Sequence, residues 1–165
     1  MRLSAKIQYE ADPKAVFDML TCEAFQDRKC VAGGALSHEV RIERTAPDAA
    51  TVTTRRTLPS DGVPDFARSF LGQTLQVCQV ERWGPAAPDG TRTGEVTVTV
   101  ENAPVRFSGR LGLSPDGQGT VESFEGEVKA SVPLLGAKVE RVVEPVVRGA
   151  IRVEHSTGVA WLADR

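Results

Sequence analysis

The chain is short of the residues on which most enzyme classes depend. Of its 165 residues only two are histidine, three cysteine and one tyrosine, and aromatics make up 5%. No Cys-x-x-Cys or mixed Cys/His cluster occurs, which excludes the common zinc frameworks. There is no Gly-x-Ser-x-Gly elbow, no Walker loop and no His-Glu-x-x-His helix. Gly109-Arg110-Leu111-Gly112 is not a dinucleotide fingerprint, because no parallel strand-to-helix pattern surrounds it. The net charge is −2 and no basic run stands out, so nothing points to nucleic acid. No apolar stretch reaches the ~18 residues of a membrane span. The opening Met1-Arg2-Leu3-Ser4-Ala5-Lys6 has no apolar signal-peptide core. Cys22, Cys30 and Cys78 are an odd number without a secretion signal. They are expected as free thiols in a cytoplasmic protein, packed as small hydrophobes. Neither a metal nor a cofactor is expected.

What is present suits one soluble domain covering residues 1–165: 41% apolar and 25% charged residues are ordinary proportions, and the length allows a real core. The chain is organised around its last stretch, Val132 to Leu162, the only long helical pattern. At 100° per residue, Leu135, Val139, Val142, Val143, Val146, Ala150, Val153, Thr157, Ala160 and Trp161 form an apolar stripe. Lys138, Glu140, Arg141, Glu144, Arg148, Arg152 and His155 fall opposite, with Val147, Ile151 and Leu162 off the stripe. Pro145 lacks an N–H and crowds the preceding turn, which predicts a bend, not a break, since the stripe keeps its phase on both sides. A stripe of Val and Ala either packs tightly on a sheet or leaves a gap for a ligand.

Before the helix come strands. Leu3, Ala5, Ile7 and Tyr9 alternate with polar residues as a half-buried strand does. Asp12 and Pro13 then supply an N-cap and first turn for a short helix. A second short helix over Cys22–Val31 places Phe25 inward and Asp27, Arg28 and Lys29 outward, and ends at Gly33-Gly34. Strands follow at His38–Arg44, Thr51–Leu58, Leu75–Trp83, Thr93–Val100, Val105–Leu113 and Val121–Val132, with turns such as Ser114-Pro115-Asp116-Gly117 between them. Val121 is out of phase with Phe124, Gly126 and Val128, which predicts a bulge near Glu122-Ser123. Val63, Phe66, Phe70 and Leu71 interrupt the series as a short helix, either a plug on the core or a flap over a cavity mouth.

Three stretches carry a family resemblance: Asp12-Pro13-Lys14-Ala15-Val16-Phe17, Arg82-Trp83, and Val132-Pro133-Leu134-Leu135-Gly136 with the closing Ala160-Trp161-Leu162. With the order of elements, they are similar to the START and birch-pollen-allergen-like superfamily of helix-grip, polyketide cyclase-like proteins. They most resemble a branch found mainly in actinobacteria, a domain of unknown function. The resemblance implies an α+β helix-grip fold across the whole chain: a curved antiparallel sheet of about seven strands wrapped around a long C-terminal helix, with two short helices after strand 1. It carries over no catalytic motif.

The fold so implied leaves space between sheet and helix, where a ligand can sit. The expected lining is Val40, Ile42, Val98, Phe107 and Leu111 from the strands and Val142, Val146 and Ala150 from the helix. Phe66 and Phe70 are expected to close one end. Tyr9 has inward parity, and its hydroxyl could donate to a ligand or to backbone. Arg56 shares the parity of Val52 and Leu58, so it is either a cavity base for an acidic ligand or a side chain reaching solvent. His38 and His155 read as surface residues, and Glu101 and Glu125 as outward. The partner implied is a small hydrophobic molecule of lipid, polyketide or aromatic type, bound by a non-catalytic carrier or sensor. Two alternatives stay open. One is an aromatase/cyclase-type enzyme, which needs buried polar groups in the cavity; the other is a filled-core interaction protein without ligand. No catalytic residue is assigned, and the oligomeric state is left open.

Overall fold

A computed structural model describes residues 1–165. Strand β1 (Arg2–Tyr9) leads into helices α1 (Pro13–Leu20) and α2 (Glu23–Ala32). Strands β2 (Ser37–Ala46) and β3 (Ala49–Pro59) precede the short helix α3 (Asp65–Leu71). Strands β4 (Thr74–Trp83), β5 (Arg92–Val100), β6 (Val105–Asp116) and β7 (Gly119–Ala130) follow, and α4 (Gly136–Ala163) closes the chain. The strands form one antiparallel sheet in the order β1-β7-β6-β5-β4-β3-β2. Consecutive hairpins build β2 to β7, and β1 returns to pair with β7 through eight residues in register, Arg2 to Tyr9. This is the expected helix-grip architecture.

Local chemistry explains the elements. The Asp12 carboxylate accepts from the Ala15 N–H at 2.8 Å, and Pro13 starts α1. Gly117 turns the β6–β7 hairpin at φ 61°, which a side chain would strain. Helix α4 continues through Pro145 as one element. No helix is long and apolar enough to cross a membrane.

The pairing register sorts the sheet's side chains. Reading across it, Ile42, Val52, Glu81, Val96, Gly109, Gly126 and Leu3 share one face, the concave one covered by helices. The register runs through Glu122 and Ser123 without a shift, so the bulge expected there is absent. The phase break came from reading Val121 as inward. Glu122 holds the inward position, opposite Leu113 on one side and Ile7 on the other. The irregularity falls instead between Arg44 and Ala46.

The core sits at one end. Phe17, Leu20, Phe25, Trp83, Leu113 and Trp161 pack there between sheet, α1, α2 and the last turns of α4. Phe25 meets Trp161 edge-on at 5.7 Å, and Phe17 meets Trp83 at 6.5 Å.

Candidate functional site

Away from that core the concave face is only half covered. Val40, Ile42, Leu58, Val98 and Val100 keep part of their surface accessible although they share the inward face. Helix α4 packs on β1, β7, α1 and α2, and not over β2 to β5 to the same extent. Its facing residues are Val143, Val147, Ile151, Glu154, Gly158 and Trp161, at helical spacing. This corrects the expected stripe. Val146 is 58% exposed and Ala150 also points to solvent; Val142 is half-buried. Valines lie all round this helix, so apolarity fixes its rotation weakly, and the face that packs includes a glutamate and a glycine. Of the strand positions, Phe107 and Leu111 are buried, while Val40, Ile42 and Val98 line the open part. Phe66 lies under the Lys138 ammonium at 4.2 Å, tying α3 to the first turn of α4. Phe70 is 68% exposed and closes nothing, contrary to expectation, because α3 turns that side to solvent.

At the covered end lies a group of buried charges. Lys29, read from sequence as outward, is 7% exposed and donates to Glu154 Oε2 at 2.6 Å. Glu81 accepts from Gln79 Nε2 at 2.6 Å and from Trp83 Nε1 at 3.1 Å. Arg56, half-buried, donates to Gln79 Oε1 at 3.0 Å. A polar chain Arg56–Gln79–Glu81 thus leads from the open face toward the buried group. Glu122 and Tyr9 are each 1% exposed. Glycine at position 158 lets the Tyr9 ring lie on α4: a Cβ there would stand 2.7 Å from Tyr9 Cε1.

Burial sets the protonation states. Burial first, then the charges of Glu154 and Glu81, push the Glu122 carboxyl well above the ordinary range, and a hydrogen bond with Glu154 adds to the rise. Glu81 is also raised by burial, against the pull of Lys29. Burial lowers the affinity of Lys29 for its proton, but Glu154 and Glu81 outweigh it, so the ammonium is retained. The Tyr9 hydroxyl is raised by burial and then by Glu154, Glu122 and Glu81. The group therefore holds at least one neutral carboxylic acid beside carboxylates and one ammonium. Such a set can donate and accept protons or bind a polar group of a ligand.

A carboxyl with a raised folded-state value supports the fold while protonated. Its contribution is fully present below the ordinary value of 4.5 and is lost as pH rises through the folded value. Glu122→Gln should therefore gain on the order of 1–3 kcal/mol over wild type at pH 8 and lose that advantage near pH 4.5. Urea denaturation across this range checks it; parallel curves for the two proteins would show that Glu122 is ionised in the fold.

Sequence reasoning missed Lys29, Glu81, Glu122 and Glu154. A signal existed for Glu81, which has the parity of Val77 and Trp83. Glu122 likewise has the parity of Phe124 and Val128, whereas no signal existed for Lys29 and Glu154, whose burial depends on each other across the chain. His38 bonds Asp27 at 3.0 Å, and His155 the Gln8 carbonyl at 2.9 Å. All three cysteines are unpaired, with Cys30 buried. No cluster of His, Cys, Asp and Glu has a metal-binding arrangement. Two surface depressions, about 320 and 820 Å³, lie mainly among outward residues such as Arg55, Glu101, Arg82 and Arg110, away from the buried group.

Solved structures share the fold. The protein TTHA0849 from Thermus thermophilus superposes with a TM-score of 0.64 at 14% identity, over 97% of this chain and 98% of that one. The STAR-related lipid transfer protein fragment from Xanthomonas axonopodis gives 0.58 at 17% identity, over 95% and 85%. Norcoclaurine synthase from Thalictrum flavum gives 0.58 at 9%, over 100% and 87%. At these identities the likeness concerns the fold alone. No match emerges among curated proteins. With residues 4–162 matching, the chain belongs to the family described as Protein of unknown function (DUF2505), built on the START and birch-pollen-allergen-like helix-grip fold.

Proposed function

We propose that the protein binds a small, largely hydrophobic molecule in the groove between the concave face of β2–β5 and α4, as a carrier or sensor. The observation that carries this reading is the row of inward apolar residues, Val40, Ile42, Val98 and Val100, left partly uncovered. A finished core would bury them, since apolar surface gains about 25 cal/mol per Å² removed from water. That a similarly folded protein is named a lipid transfer protein supports the reading.

Native mass spectrometry of freshly purified protein should show a co-purified mass. A hydrophobic fluorescent probe should bind and be displaced by extracted ligand. With Phe66 holding α3 to α4, Phe66→Ala should release the probe severalfold faster with a small change in thermal midpoint, whereas Phe70→Ala should change neither. Absence of both a bound mass and probe binding rejects the groove.

A second reading is favoured by the neutral Glu122 beside Tyr9 and Lys29: proton transfer to or from a bound substrate, as the alternative of a cyclase-type enzyme requires. Turnover abolished by Glu122→Gln with binding retained would establish it; a ligand recovered unchanged after incubation argues for a carrier.

A further inference from the structure

By register, three arginines project from the strands onto the concave face: Arg44, Arg56 and Arg92. Two of them are committed. Arg92 pairs with Asp48 at 2.8 Å and donates to the Gly84 carbonyl, and Arg44 holds both the hydroxyl and the carbonyl of Thr21. Arg56 differs. A guanidinium has five N–H donors, and Arg56 makes a single hydrogen bond, from Nη2 to Gln79 Oε1 at 3.0 Å, with no ion pair. Its Nε is buried without an acceptor. A side chain that simply reached solvent would have that Nε hydrated.

The surroundings hold this cation in place without cancelling its charge. Arg56 stands opposite His38 on β2 and Val77 on β4, with Thr54 and Leu58 beside it on β3. His38 and Asp27 already bond each other at 3.0 Å. The amide of Gln79 donates to Glu81 Oε1 at 2.6 Å, which turns its carbonyl toward Arg56. A neutral group thus orients the guanidinium where a carboxylate would have neutralised it. The Arg56 charge acts on the Cys30 thiol of α2 ahead of that of Lys29, so the guanidinium lies at the border of the groove, where α2 packs on β2. On the same face Val40, Leu58, Gln79, Val98 and Val100 keep part of their surface accessible, so a ligand can reach it.

The group that fits an oriented, unpaired guanidinium is a carboxylate, whose two oxygens match the planar fork. An ammonium is repelled, and an alcohol offers one uncharged oxygen. A phosphate monoester carries a charge between about −1.5 and −2 at pH 7, more than one unpaired cation answers. Resting on the groove reading above, we propose that Arg56 anchors the head group of the ligand, and that the ligand is an amphiphilic carboxylic acid whose apolar body crosses β4 to lie on Val98 and Val100. From β3 to β5 is two strand spacings, about 10 Å, which sets the length of that body.

The test is calorimetric titration with octanoate, 1-octanol and octylamine at pH 7.5, alongside the fluorescent probe. Octanoate should bind about tenfold or more tightly than octanol, a difference of about 1.4 kcal/mol, and octylamine should be weakest. Arg56→Gln should abolish the advantage of the acid and leave octanol affinity unchanged. Arg56→Lys keeps the charge but not the fork, so it should retain only part of that advantage. Arg55→Gln, one residue along on the outward face, should leave all three affinities as they are. Equal affinities for acid and alcohol, or a preference for the amine, overturn the proposal and leave the groove reading standing. So does a preference for the acid that survives both Arg56 variants or falls equally in Arg55→Gln, since the diffuse charge of the surface would then be its source. Failure of all three compounds and of the probe to bind overturns both readings.

Discussion

Lys29→Met should cost about 3–5 kcal/mol at pH 7, the usual penalty for stripping one partner from a buried ion pair. The volume change is small, so packing contributes little. The loss comes from leaving Glu154 Oε2 without its 2.6 Å partner while Glu81 and Glu122 crowd the same interior. A further measurement separates this cause from a packing defect. Adding Glu154→Leu to Lys29→Met should recover most of the loss, since an apolar pair of similar volume is often no less stable than the buried ions. Urea denaturation of the two variants checks it. A single-variant loss below about 1 kcal/mol would be that of a solvated surface pair, meaning that water reaches the cluster.

Gly158→Ala should destabilise, although helix propensity alone predicts a gain of about 1 kcal/mol for a glycine replaced in a helix interior. The added Cβ would meet Tyr9 Cε1 at 2.7 Å, Tyr9 Oη at 2.9 Å and Met19 Cε at 3.0 Å. The methionine can yield, but the buried Tyr9 ring cannot, and overpacking of this kind costs about 1–3 kcal/mol. Gly149→Ala in the same helix is the control: its Cβ would meet nothing nearer than Arg152 Nη2 at 3.7 Å. That variant should raise the thermal midpoint by roughly 2–4 °C, and Gly158→Ala should lower it by a similar or larger amount. Opposite signs for two glycines on one helix would place Tyr9 against α4. A midpoint raised in both would remove Tyr9 from that contact.

The architecture was readable because each of its signals is local. Alternation from Leu3 to Tyr9, the Asp12-Pro13 cap and the Ser114-Pro115-Asp116-Gly117 turn each need only a few neighbouring residues. A series of such hairpins leaves few ways to arrange the sheet. The candidate site was much less readable. On a short helix Lys29 looks solvated, and its burial makes sense only beside Glu154, 125 residues away. Glu122 broke the apolar alternation of β7 and so resembled a bulge, whereas the unbroken pairing with β1 and β6 turns the carboxylate inward.

Patterning along the chain was thus enough for element order, strand polarity and the inward apolar positions of the strands, because hydrophobic alternation and turn chemistry act over a turn or a hairpin. Tertiary packing decided the rotation of α4, the exposure of Phe70 and Val146, and the gathering of Tyr9, Lys29, Glu81, Glu122 and Glu154. Burying a charge is costly, so sequence patterns count every lysine and glutamate as surface. The cost is met only by partners that folding brings from β1, α2, β4, β7 and α4 to one place.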